Sequence, residues 1–211
     1  MSGGRNAWLD IPLEDYEAHM ALPSIGQARM LSDQLQLLTA RKSPRSIAVA
    51  GCAGGNGLER LGPGVTRIVA IDINPAYLAA LEARHSAPLP GLEVHCADVE
   101  SPALTFEPVD LIYAGLIFEY VDAAAALATF KRNARPGAAL AVLLQLPGEG
   151  QDAVSPSPYR TLSKLAGSMR LVPPAQLQRA AAAAGFVLED LRVIGLNSGR
   201  RFHLQLFEAR P

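Results

Sequence analysis

Apolar residues fall in short runs separated by polar, glycine- and proline-rich stretches. Residues 47–50, 109–114 and 138–146 are apolar almost throughout, with one Gln in the last run. The first run predicts a central parallel strand buried on both faces, and 109–114, which carries Asp110, and 138–146 predict the fourth and fifth strands. Residues 65–71 are predicted as the second strand, and residues 92–96 alternate Leu92, Val94 and Cys96 against Glu93 and His95, as an edge strand with one wet face does. Leu31, Leu35 and Leu38 recur at helical spacing and predict a helix over 30–39 in an N-terminal arm, 1–45. A short helix is expected from 56 to 61, where Gly62, Pro63 and Gly64 stop it. Asn74 caps a helix that opens on Pro75 and turns Tyr77, Leu78 and Leu81 inward. Only ten residues, 99–108, precede the fourth strand, so a turn rather than a helix is expected there. Asp122 caps an alanine-rich helix ending near Pro136 and Gly137. A loop at 148–157, a small helix at 159–165 near the ligand, and a helix at 175–184 closed by Gly185 follow. The last strands are predicted at 187–194 and 201–208, and the short link 195–200 makes them an antiparallel hairpin.

The first strand runs into glycines, IAVAGCAGGNG at 47–57, and Asp72 ends the apolar run 69–71. A buried strand, a glycine turn and a second strand tipped by a carboxylate make half of a nucleotide-binding α/β fold. Glycines let backbone approach a ligand closely, and a carboxylate accepts both ribose hydroxyls. A ligand built on adenosine is implied.

At 211 residues and 49% hydrophobic the chain is one domain with room for a sizeable core. A net charge of −1 disfavours nucleic acid as a partner. The densest basic cluster, Arg41, Lys42 and Arg45, reads as a solvated linker. Cys52 and Cys96 lack metal-site spacing, so neither a metal nor a disulfide framework is expected. The N-terminus lacks the apolar core of a signal peptide, and no apolar run approaches the ~20 residues of a membrane span. A cytoplasmic protein away from membranes is the expectation.

Alternating strands and helices that end in a helix and an antiparallel hairpin resemble the class I S-adenosylmethionine-dependent methyltransferases, from residue 46 to the C-terminus. IAVAGCAGGNG is similar to the family's first motif, Asp72 in VAIDINP to the acid after the second strand, and Asp98 in HCADVES to the acid after the third. VDLIYAGLIFEYVD resembles the fourth-strand motif, and MRLVPPAQLQRAAAAAGFVLEDL the late helix with its Gly-Phe. The resemblance implies a Rossmann-like, doubly wound seven-stranded sheet, mostly parallel with an antiparallel last strand. The arm, 1–45, would cover the site and 46–211 would form the cofactor-binding domain. It further implies S-adenosylmethionine as cofactor, S-adenosylhomocysteine as product, and a small-molecule methyl acceptor. Gly51, Cys52 and Ala53 would present backbone to the methionine part, with a helix dipole behind them suiting its carboxylate. Asp72 would hold the ribose, Ile73 pack on adenine, Asp98 accept from the adenine amine beside Val99, and Ala114 and Gly115 line the floor under the sulfonium. Two positions depart from the pattern. Val49 stands where the family has an acid, and Ala53 where it has its second glycine.

Asp72 and Asp98 also have plain readings, as a helix-capping acid and a turn residue. Asn74-Pro75-Ala76-Tyr77 is similar to an amino-methylation signature, but it follows the second strand instead of the fourth and reads as a helix start. Cys52 reads as packing. His95 and His203 read as solvated strand residues, and His85 as a residue at a helix end. Catalytic candidates near the acceptor are His19 from the arm and Glu119 and Tyr120 after the fourth strand, and Tyr16, also in the arm, is a candidate to contact the cofactor. Methyl transfer is the expected activity. A catalytically inactive protein of this fold, binding the cofactor or a partner, is the alternative. A NAD(P)-dependent oxidoreductase comes third, because the glycine spacing from Gly51 does not match its fingerprint.

Overall fold

The computed structural model describes residues 6–148 and 155–211. Seven strands form one sheet: β1 (Ser46–Ala50), β2 (Arg67–Asp72), β3 (Leu92–Cys96), β4 (Val109–Gly115), β5 (Ala134–Gln145), β6 (Phe186–Gly195) and β7 (Arg201–Ala209). Their order is β3-β2-β1-β4-β5-β7-β6. Pairings from β3 to β5 are parallel, and β7 lies antiparallel between β5 and β6. This is the expected Rossmann-like, doubly wound sheet with one reversed strand. Among the described residues five α-helices accompany it: α1 (Leu13–Ala21), α2 (Gln27–Lys42), α3 (Pro75–His85), α4 (Ala123–Arg132) and α5 (Pro174–Ala183).

The uninterrupted apolar runs are explained by two cores, one on each face. Ile47 and Val49 of β1 face Met30, Leu35 and Leu38 of α2 and Leu78 and Leu81 of α3. Ala48 and Ala50 share the other core with Leu127 and Phe130 of α4 and Leu177 and Ala181 of α5. Strand order reverses direction at β1, whose neighbours are β2 and β4. In open α/β sheets the crevice beyond the strand ends at such a switch point is where ligands sit.

Four expectations are corrected. First, no α-helix follows the glycine turn; a single 3-10 turn, Leu58–Arg60, stands where a helix over 56–61 was expected. Gly57, with φ +90°, caps the start of this turn. The helix dipole expected behind Gly51, Cys52 and Ala53 is therefore missing. Second, α4 stops at Arg132. The stop signal is Asn133, whose amide donates to Thr129 O at 2.9 Å and Leu104 O at 3.1 Å and accepts from Phe106 N at 2.9 Å. Third, β5 starts at Ala134 and β2 at Arg67. Pairing shifts from Val109↔Ala134 to Leu111↔Ala139, so Pro136 and Gly137 sit in an irregularity within β5 instead of between elements. Fourth, His203 is buried, because its face of β7 lies under the start of α5: its ring nitrogen is 3.1 Å from Gln205 Nε2, which also bonds Pro174 O. The loop expected over 148–157 lies mostly outside the described residues.

Candidate active site

The cleft is built at the C-terminal ends of β1, β2 and β4. Gly51 leaves β1 with φ +68°, and the N–H groups of Gly51 and Cys52 both donate to Ile71 O, at 2.9 and 3.1 Å. The turn thus curls over the tip of β2. Asp72 ends β2; one carboxylate oxygen accepts Ala53 N–H at 3.0 Å and the other accepts Asn74 N–H at 2.9 Å. A carboxylate has about four acceptor positions, so each oxygen keeps capacity for a ligand hydroxyl. Burial raises the Asp72 pKa, offset by these backbone donors. Ala53 holds φ +46°, the left-handed region where the family pattern has glycine.

Asp72 lies in a cavity of about 100 Å³ with Ile73, Asp98, Val99, Gly51 and Gly115. Asp98 is exposed and accepts Glu100 N–H at 2.9 Å, so it makes a turn and lines the cavity at once. A second cavity, about 400 Å³, lies over Gly51, Cys52, Ala53, Gly54 and Gly55 and reaches Glu17, Arg84 and Tyr113. A third, about 70 Å³, is lined by His19, Gln27, Tyr120, Gln145, Leu162 and Met169, among others. Tyr16 borders all three. One expectation fails here: Gly115 lines the first two cavities, whereas Ala114 is fully buried in the core and lines none of the three.

Asn6 and Trp8 line the first cavity. A 3-10 turn, Ala7–Asp10, carries Trp8, whose ring meets Tyr16 edge-on at 5.5 Å and Tyr120 at 5.0 Å. Tyr16 stacks on Tyr77 at 6.2 Å. Asn74 Nδ2 donates to Trp8 O at 2.9 Å, while its Oδ1 caps α3 through Ala76 N–H at 3.0 Å. Tyr77 O–H donates to Ile11 O at 3.0 Å. Asn74 and Tyr77 thus clamp the chain start over the cleft, beyond the helix-start role read from the sequence.

Polar groups at the third cavity are unevenly satisfied. His19 is 6% exposed, and its Nδ1 has no partner among the described residues. Burial, helped by the charge of Arg200, lowers its pKa, so the ring is neutral at neutral pH. Gln27 Nε2 donates to Gln145 Oε1 at 3.5 Å. Glu119 lies behind this wall instead of in it: one oxygen accepts Gln145 N–H at 2.7 Å, the other has no partner, and burial pushes its pKa up to about 7. Burial also pushes the phenols of Tyr16 and Tyr120 well above their ordinary range, which leaves both as neutral O–H groups. The Cys52 thiol is pushed up by burial and by Asp72, which suits packing and not nucleophilic chemistry. Among the described residues no cluster of His, Cys, Asp and Glu could hold a metal ion. No described helix is long and apolar enough to cross a membrane.

Sequence reasoning missed Trp8, Glu17, Arg84, Tyr113 and Gln145. Each lies far along the chain from the glycine turn and reaches the cavities only through the tertiary fold, so no local spacing could mark it.

A sequence model of the family described as a methyltransferase domain matches residues 49–142, from β1 to β5. Similar solved structures include the N-methyltransferase NodS from Bradyrhizobium japonicum WM9 in complex with S-adenosyl-L-homocysteine. It is 16% identical, with a TM-score of 0.69, over 98% of this chain and 100% of that one. The 1,6-didemethyltoxoflavin-N1-methyltransferase of Burkholderia thailandensis, with bound 1,6-didemethyltoxoflavin and S-adenosylhomocysteine, is 15% identical with a TM-score of 0.66, over 87% and 78% of the two chains. The [4+2]-cyclase SpnF is 14% identical with a TM-score of 0.67, over 84% and 80%. No curated protein matches the sequence. Residues 49–142 thus resemble a methyltransferase domain, and the chain has the fold of the class I S-adenosylmethionine-dependent methyltransferases.

Proposed function

We propose that the chain binds S-adenosylmethionine and directs its methyl group to a small molecule held in the cavity beside His19. The observation that carries this is Asp72. Its carboxylate is fixed by two backbone donors at the tip of β2, keeps acceptor capacity, and opens into a cleft shared with Ile73, Asp98 and Val99. These residues fit an adenosine: Asp72 would hold the ribose hydroxyls, Ile73 and Val99 would cover the adenine faces, and Asp98 would accept from its amine. The backbone of Gly51, Cys52 and Ala53 would carry the methionine portion.

When bound, the cofactor supplies a methyl group already activated by its sulfonium, so the protein's task is alignment more than covalent help. Tyr16 and Gly115 would border the reacting end, since Tyr16 edges all three cavities and Gly115 two of them. His19 would accept a hydrogen bond, or a proton, from the acceptor through its unpartnered Nδ1, and its lowered pKa keeps it in the accepting form. Tyr120 would close the same space with Trp8. Residues 1–45 would act as the cover, and a cytoplasmic location belongs to the same proposal, supported by two unpaired cysteines.

A second reading, a protein that binds the cofactor without methyl transfer, is favoured by Val49 and Ala53, which depart from the family pattern at the glycine turn. The likeness to a chain known as a [4+2]-cyclase shows that the fold serves other chemistry too. The test is a binding titration followed by turnover. Saturable S-adenosylhomocysteine binding, no NADH binding, and label transfer from methyl-labelled S-adenosylmethionine to members of a small-molecule panel support the proposal. Binding without transfer to any member favours the second reading. Binding of NADH alone overturns both.

A further inference from the structure

The glycine turn lacks both devices that would hold an amino-acid end group: an acid at Val49 and an α-helix N-terminus behind the loop. An α-amino acid end carries an ammonium and a carboxylate. Recognition needs an acceptor-only group and a cation with a planar fork of donors. The 400 Å³ cavity over the turn offers one such pair. Glu17, from α1, and Arg84, near the end of α3, both line it. Glu59 also lines it but accepts Gly57 N–H through Oε2 at 3.1 Å, and His85 packs against Gly55 instead of pairing with an acid.

We infer that Glu17 and Arg84 form the clamp for the amino-acid end of the cofactor, Glu17 taking the ammonium and Arg84 the carboxylate. This rests on the proposal that the cleft binds S-adenosylmethionine. Three observations carry it. The pair sits directly on the turn: a Cβ at Gly54 would collide with Glu17 Oε1 and stand 2.6 Å from Arg84 Nη1, so the missing side chain at residue 54 is what admits them. The two groups face each other as a bidentate pair, Arg84 Nη2 lying 3.1 Å from Glu17 Oε2, which matches the charge pattern a zwitterion would replace. Their side chains remain 45% and 34% exposed, so solvent and a ligand can reach both charged groups. Glu17 follows Tyr16, so helix α1 sets one side chain against the reacting end and the next against the amino-acid end. The acid absent from β1 is thus supplied by the arm.

The test compares two nucleosides that differ only beyond the sulfur: S-adenosylhomocysteine, and 5′-methylthioadenosine, which lacks the amino acid. Calorimetric titrations would use the full-length chain, Glu17→Gln and Arg84→Met. The expected result is wild-type preference for S-adenosylhomocysteine, a tenfold or greater loss of that affinity in each variant, and 5′-methylthioadenosine affinity unchanged within twofold. Retained 5′-methylthioadenosine binding also reports that each variant is folded. Equal losses for both nucleosides would mean that the pair is only a strap between α1 and α3, and unchanged affinities would mean that it does not touch the ligand; either overturns the inference. A wild-type chain that binds neither nucleoside overturns the cofactor proposal itself.

Discussion

Glu119 provides a sharp test of the energetics at the wall of the third cavity. It is 1% exposed, one oxygen holds Gln145 N–H at 2.7 Å, and the other has no partner. Burial raises its pKa from 4.5 to about 7, with the Gln145 N–H opposing the rise. The folded protein therefore keeps a proton that the unfolded chain releases above pH 4.5. For a group whose folded pKa is raised, the stabilisation is fully present below the unfolded pKa and is lost as pH rises through the folded one. The slope is about 1.4 kcal/mol per pH unit in that window. Between pH 5 and pH 8 the loss comes to about 3 kcal/mol. Glu119→Gln keeps the shape and the acceptor for Gln145 N–H but carries no charge at any pH. Urea denaturation of wild type and variant at pH 5, 6, 7 and 8 isolates the effect, because all other titrating groups cancel in the difference. The variant should gain about 3 kcal/mol relative to wild type from pH 5 to pH 8. Parallel pH profiles, with the difference constant within about 1 kcal/mol, would refute the claim that this carboxyl is buried and half-satisfied.

The glycine turn should tolerate change unevenly. Gly51→Ala places a Cβ at φ +68° and 3.2 Å from Ile117, and should cost about 1–2 kcal/mol in thermal or urea denaturation. Ala53→Gly relieves similar strain but adds unfolded-state entropy and removes a methyl packed among Leu13 and Tyr77, so its net effect should stay within about 1 kcal/mol. Tyr77→Phe leaves Ile11 O without its donor; a loss of about 1–3 kcal/mol and faster amide exchange near the chain start are expected, and unchanged exchange there would show that Tyr77 does not clamp it. Trp8 is the only tryptophan, so S-adenosylhomocysteine binding should change the intrinsic fluorescence, and calorimetric binding without that change would place the ligand away from Trp8.

What the sequence revealed follows the range of its physics. Buried parallel strands need apolar residues on both faces, so β1 and β4 stand out as apolar runs, broken in β4 only by Asp110, and the Asn74-Pro75 and Asp122 starts of α3 and α4 are local hydrogen-bonding signals. Asp72 was legible because strand end, turn and acid lie within one βαβ spacing. The end of α4 was misread because Pro136 and Gly137 look like a stop, whereas Asn133 makes the stop through Leu104 and Phe106, distant residues that no local window contains. His203 looked solvated because alternation along β7 cannot report that α5 covers one face, where Gln205 donates to Pro174 O at 3.1 Å. The helix after the glycine turn was expected from residue type, yet only the 3-10 turn Leu58–Arg60 forms there, and Gly62 and Pro63 follow within three residues. Tyr16 and His19 were legible as candidates only through the arm's resemblance, while Glu17 carried no signal, because only the tertiary fold brings it to the same cavity as Val49 and Arg84.

The most direct test of the cofactor proposal is calorimetric titration with S-adenosylhomocysteine of the wild-type chain and of Asp72→Asn, with circular dichroism to verify that both are folded. Hydrogen bonds to a charged acceptor are worth about 1.5–3 kcal/mol, so the variant should bind roughly ten- to a hundredfold more weakly. Equal affinity in the two proteins, or no binding to wild type, would contradict the assignment of this cleft to an adenosine-based cofactor.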